Sequence, residues 1–172
     1  MLTILSELVD AMIQQAQTDH PMETCGVIAG RESAERPMRL IPMRNVAASE
    51  DMFMFDAREQ LQVWREMEAN GEEPVVIYHS HTHSRAYPSK DDILCAAEPH
   101  AHYVIIPTDP AYGGGIRSFR IVNGAVVEET IRVVEQYAGE KSLPLAENRS
   151  SHVNHHPYSH RSASADQRSE AH

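Results

Sequence analysis

The chain has 172 residues, 41% of them apolar and 23% charged, which is ordinary globular usage and enough for one compact domain rather than two. Fifteen Lys and Arg against twenty-five Asp and Glu leave a formal charge of −10, which argues against nucleic acid or an anionic membrane as the main partner. Two cysteines cannot build a disulfide framework, the first residues lack a basic leader, and no apolar run nears the ~18 residues of a membrane span, so a soluble cytoplasmic protein is expected.

Leu5, Leu8, Val9, Met12, Ile13 and Ala16 recur three and four apart, which predicts an amphipathic helix over residues 2–17. His20-Pro21 ends it, because the residue before a proline is pushed out of helical geometry. Residues 24–30 form a short apolar run closed by glycine, read as a strand, and 38–46 read as a second, with Pro42 marking an edge or a bulge. Asp56 and Glu59 have the spacing of a capping box ahead of Leu61, Trp64 and Met67, predicting a helix to about Ala69 that stops at Asn70-Gly71.

The continuous apolar run 74–78 predicts a strand buried on both faces, and it delivers the chain into His79-Ser80-His81. A short helix is expected from Ser89 to Ala97, another buried strand over 102–106, and a glycine-rich loop over 107–115. Residues 116–122 and 125–134 then pair as a hairpin about Asn123-Gly124. Residues 148–172 contain six serines, five histidines and three arginines, with too little apolar surface to offset their ordering entropy. The expected organisation is therefore a domain over 1–137 and a disordered His- and Ser-rich tail over 138–172.

The chemistry concentrates in His79-x-His81, with Ser89 and Asp92 downstream. Residues i and i+2 of a strand point to the same side, so His79 and His81 can present two imidazole nitrogens to one ion. Asp92, one turn into the next helix, can add a carboxylate oxygen. Two nitrogens and an oxygen with water in the fourth place make an open catalytic zinc site. Ser89-x-x-Asp92 is also a capping box, which needs no metal, and the two readings are compatible. His83 is left as a loop residue near the mouth, touching substrate or simply solvated. Cys25, in the apolar strand, offers a rival thiol nucleophile or an inert buried thiol. The tail histidines His152, His155, His156, His160 and His172 offer a metal-buffering or partner-binding alternative at no defined spacing.

These residues resemble the JAMM (MPN+) zinc metallopeptidase family, whose motif is an upstream Glu followed by His-x-His, seven residues, Ser, two residues and Asp. Glu23-Thr24-Cys25-Gly26 matches the upstream Glu-x-x-Gly strand start. The resemblance covers residues 1–136 and is nearest to the bacterial Mec-type peptidases of sulfur-carrier proteins, through His79-Ser80-His81-Thr82, residues 86–89, 98–104 and 117–121. It implies an α+β, cytidine-deaminase-like JAB/MPN fold: a mixed, mostly antiparallel sheet flanked by helices. It implies one Zn2+ per chain on His79, His81 and Asp92, Glu23 as general base, and Ser89 as donor to the oxyanion. The implied reaction is hydrolysis after the C-terminal Gly-Gly of a ubiquitin-like sulfur-carrier protein, releasing cysteine for cysteine biosynthesis, with residues 112–115 as a wall of the substrate channel or an ordinary turn. The alternatives are a JAMM isopeptidase that removes ubiquitin-like modifiers from lysine, from which Thr82 departs where many eukaryotic members have Pro, and a non-catalytic metal-binding or interaction module.

Overall fold

The structure, a computed structural model, describes residues 1–139, so the tail expected over 138–172 lies almost wholly outside the described residues. Leu2, Ile4 and Leu5 are buried in a strand, β1 (Leu2–Leu5), and helix α1 (Ser6–Asp19) begins only after it. The helix expected from residue 2 therefore starts at Ser6. Leu2 to Leu5 instead pair in parallel with β8 (Ile131–Val134), a partner that no local periodicity reveals. For the same reason the second arm of the hairpin is shorter than the sequence suggests. It breaks at Thr130 into β7 (Ala125–Glu129), which pairs with β6 (Arg117–Val122), and β8, which leaves the main sheet. The turn itself is as expected, with Asn123 at φ 51° and Gly124 at φ 79°.

The main sheet has six strands in the order β3-β2-β4-β5-β6-β7, with β2 (Cys25–Arg31), β3 (Arg39–Met43), β4 (Glu72–His81) and β5 (His102–Pro107). Every neighbouring pair is antiparallel except β4 and β5. A parallel pair needs a crossover, and the chain between them carries helix α3 (Lys90–Cys95). Pro42 sits on the edge strand β3, where a missing N–H costs no ladder bond.

Alternation along β4 divides the core. Val76 and Tyr78 face α1 and pack with Leu8, Met12, Ala16, Val104 and Ile106. Ile77 faces helix α2 (Ala57–Asn70) and packs with Val63, Met67, Tyr103, Ile105 and Phe119. His79 and His81 share the parity of Ile77 and so emerge on the α2 side, while Ser80 turns to the other face. Asp56 caps α2 by accepting from the N–H groups of Arg58 and Glu59, and Gly71 closes it at φ 64°. The expected capping box is only half made, since Glu59 reaches across to accept from the Arg44 N–H at 3.0 Å.

Gly26 lets β2 and β4 approach where the Tyr78 phenol crosses the sheet. A Cβ at position 26 would lie 2.3 Å from Tyr78 Oη and 2.7 Å from the Ile41 carbonyl oxygen. Tyr78 is fully buried and donates to Gln15 Oε1 at 2.6 Å, so it has nowhere to retreat. Gly26→Ala is expected to cost at least the ~1–3 kcal/mol of an overpacked core, seen as a lower denaturation midpoint. An unchanged midpoint would show that the sheet opens there more easily than its packing implies.

Candidate metal centre and active site

The site is assembled by the pairing of β2 with β4. Cys25 lies opposite His79 in this antiparallel ladder, so the same register carried to the residues just beyond brings Glu23 opposite His81. Opposed residues point to one face of a sheet, and Glu23, His79 and His81 all stand buried on the side that faces α2. Two backbone groups of Glu23 are tied down: its N–H donates to the Ser49 carbonyl and its carbonyl accepts from Asn45 Nδ2, both at 2.9 Å.

Asp92 comes from α3, which opens with the capping box that the sequence suggests. Ser89 Oγ accepts from the Asp92 N–H at 3.1 Å, and the Ser89 N–H donates to Asp92 Oδ2 at 2.7 Å. The box turns that carboxylate toward the strand end. Asp92 Oδ2 lies 3.4 Å from both His79 Nε2 and His81 Nε2, which are 3.1 Å from each other. Two donors on a tetrahedral zinc, each ~2.0–2.1 Å from it, stand ~3.3 Å apart. The spacing of the three donors suits one small divalent cation, and they are the one group of His, Cys, Asp and Glu among the described residues that could hold a metal ion.

The electrostatics separate the two carboxylates. Burial works against the charge of Asp92, but hydrogen bonds from His79 and His81 outweigh it and hold this group well below the usual carboxylate range. Glu23 is pushed up to about 8 by burial, with Asp92 and Asp51 adding to the effect and His81 opposing it. Burial lowers His79, leaving a neutral imidazole with a lone pair to share. Burial lowers His81 as well, but Asp92, the Arg85 carbonyl and Glu23 together raise it. The Nδ1 atom of His81 lies 3.1 Å from the Arg85 carbonyl oxygen and 3.0 Å from Ser84 Oγ, which fixes the ring so that Nε2 faces Asp92.

Several features are not legible in the spacing of the motif. Phe53 lies on the face of His79, ring centroids 4.4 Å apart and 24° from parallel. With Phe55, Trp64, Ile77, Tyr103 and Ile105 it walls a cavity of about 210 Å³ that opens onto His79, Ser89 and Asp92. Trp64 is anchored there by donating from Nε1 to Glu98 Oε1 at 2.8 Å. The one signal was the run Met52-Phe53-Met54-Phe55, four large apolar residues in a segment with no strand or helix period.

The remaining expectations resolve as follows. His83 is half-exposed and pairs with Glu50 at 2.9 Å, away from the three donors. Cys25 is fully buried, its thiol donates to the Met43 carbonyl, and burial pushes it up to about 12, which removes the thiolate that a cysteine hydrolase needs. Residues 112–115 are not among the walls of the cavity. The tail histidines fall outside the described residues.

Comparison with known proteins agrees with this geometry. Residues 5–122 match the family described as prokaryotic homologs of the JAB domain. The CysO-cysteine peptidase of Mycobacterium tuberculosis (strain ATCC 25618 / H37Rv) is 53% identical over 137 residues, which cover 80% of this chain and 94% of that protein. The desampylase of Haloferax volcanii is 31% identical over 113 residues, covering 63% of this chain and 81% of that protein. Among solved structures, AF2198, a JAB1/MPN domain protein from Archaeoglobus fulgidus, superposes with a TM-score of 0.51 at 17% identity, over 77% of this chain and 97% of that one. A family match over most of the domain and a relative 53% identical over 137 residues lead to one assignment: the chain belongs to the family of prokaryotic homologs of the JAB domain.

Proposed function

We propose that this chain is a zinc peptidase that hydrolyses the bond after the C-terminal Gly-Gly of a ubiquitin-like sulfur-carrier protein and releases cysteine, with residues 1–137 as its catalytic domain. The observation that carries the reading is the convergence of His79, His81 and Asp92, in a chain 53% identical to a peptidase named for CysO-cysteine. Two imidazoles and one carboxylate are a donor set that suits zinc in open catalytic sites. The buried Cys25 and the exposed Cys95, both unpaired, accord with the reducing cytoplasm.

His79, His81 and Asp92 would hold the zinc ion, whose Lewis acidity would draw the pKa of water toward 7 and polarise the scissile carbonyl. Glu23 is the base. Its carboxylate, the form that a cation on His79, His81 and Asp92 would favour, accepts the proton of the attacking water and then delivers it to the leaving amine. Ser89 Oγ already accepts from the Asp92 N–H, so its own O–H remains available to donate to the developing oxyanion. Phe53 and Phe55 screen one side of the site from bulk water.

The direct test is the intact mass of a Gly-Gly carrier extended by cysteine, before and after incubation with the zinc-loaded protein. Loss of a single cysteine residue, blocked by a chelator, is expected. A lysine-linked conjugate of the carrier serves as the second arm, because the likeness to desampylase supports an isopeptidase reading. Cleavage of that conjugate alone would move the assignment there.

Glu23→Gln is expected to lower turnover by ~10²–10⁴-fold while zinc stays bound, whereas His79→Ala loses both. The same variant has a stability signature in the metal-free protein. Burial raises Glu23 from 4.5 to about 8, so the fold favours its neutral form; that contribution is complete below pH 4.5 and lost as the pH climbs through about 8. Glu23→Gln should thus raise Tm by several degrees at pH 8 and leave it unchanged near pH 4. Equal Tm values across that range would mean that Glu23 is not held in a desolvated position.

Deletion of residues 140–172 is expected to leave kcat/KM on the carrier within twofold of the full chain. A larger loss would give the histidine-rich segment a part in delivering metal or substrate.

A further inference from the structure

Asn45 takes no part in the chemistry above, yet its side-chain amide is saturated. Nδ2 donates to the carbonyls of Glu23 at 2.9 Å and Met52 at 3.0 Å, while Oδ1 accepts from the N–H groups of Ala47 and Met54, both at 3.0 Å. Two donors and two acceptors are all that an amide offers. Three of these four bonds lead toward the site. Glu23 is the base, and Met52 and Met54 flank Phe53, whose ring lies on His79.

His79 depends on that ring. A metal-binding histidine is ordinarily oriented by a hydrogen bond to its second nitrogen. His79 is fully buried and its Nδ1 has no hydrogen-bond partner among the described residues. Packing against Phe53 therefore does for His79 what the Arg85 carbonyl and Ser84 do for His81.

Two further bonds tie the same segment to the strand ends: the Glu23 N–H to the Ser49 carbonyl at 2.9 Å, and Thr82 Oγ1 to the Glu50 carbonyl at 2.7 Å. Among the described residues, Asn45 is the one side chain that joins the base directly to the backbone on both sides of Phe53.

We infer that Asn45 is a positioning residue: one amide sets the backbone of Glu23 and, through Phe53, the ring plane of His79, so that base and metal ligand are held as a unit. The kinetic half of this inference rests on the peptidase reading; the metal-binding half does not.

Asn45→Asp is the informative change. The carboxylate keeps both acceptor bonds but turns oxygen against the carbonyls of Glu23 and Met52, which repel it. In the full chain with saturating zinc, kcat on the carrier is expected to fall at least ~10-fold with KM within about twofold, and zinc affinity by chelator competition to fall ~10-fold, the scale seen when a group behind a metal ligand is removed. Phe53→Leu should weaken zinc to a similar extent, and the double variant no further than either single one, because both act on His79 through one ring.

Retention of both kcat and zinc affinity within about threefold in Asn45→Asp would overturn the inference, as would additive losses in the double variant. Should Asn45→Asp fail to fold, Asn45→Ser is judged by the same criteria. Failure of both to fold makes Asn45 a residue of the fold alone and overturns the inference too. If the wild-type protein leaves every carrier intact, the substrate reading falls by itself, and Asn45 is then judged on zinc affinity.

Discussion

The antiparallel register of β2 against β4 is the constraint from which the rest of the site follows. Pairing Cys25 with His79 sends Glu23, His79 and His81 to one face of the sheet; a slip of one residue would send the base and the ligands to opposite faces. The register is held at the site by a local clasp. Ser80 Oγ accepts from the Thr24 N–H at 2.8 Å, and the Ser80 N–H donates to the Thr24 carbonyl at 3.0 Å. It is held again two pairs deeper, where only a glycine at position 26 leaves room for the phenol of Tyr78. The irregularity in this ladder falls between Ile28 and Ala29, at the far end of the pair, where it does not disturb the site.

On that frame, two carboxylates acquire opposite characters. Asp92 is anchored by the Ser89 N–H and faces two imidazoles, so it stays an anion and a candidate metal donor. Glu23 is buried at the start of β2 with other carboxylates in range, so its proton is held to a much higher pH. A pair of acids whose surroundings drive their pKa values apart is the general mark of divided labour in an active site. The capping box of α3 serves both sides of this division, because the bonds that start the helix also aim Asp92 and leave the Ser89 proton free.

The segment from Asn45 to Phe55 supplies what the motif lacks. The three candidate metal donors occupy a strand end and a helix start, and neither element covers the face of His79. Phe53 does so, carried on a segment whose turns are closed by one asparagine amide and by the bond from Val46 N–H to the Met54 carbonyl. The result is an apolar wall beside a charged centre, which lowers the local dielectric and strengthens each interaction inside it.

The spacing of His79, His81, Ser89 and Asp92, together with Glu23-Thr24-Cys25-Gly26, was enough to identify the donors, because strand parity and a helix cap are local rules that a sequence carries. The buried strands, Asp56 as a cap and the Asn123-Gly124 turn were legible on the same ground. Three matters were not. Leu2 to Leu5 fit a helix period as well as a strand, and only their pairing with Ile131 to Val134 decides between them. The apolar position of Cys25 left its thiol open to two readings until burial and the Met43 carbonyl closed one. The roles of Asn45 and Phe53 depend on contacts with residues far along the chain, and no periodicity encodes those. Local sequence pattern is enough to name the candidate donors His79, His81 and Asp92. The tertiary structure decided how close they stand, and which of the two acids keeps its proton, because distance and desolvation arise only when separate segments are packed together.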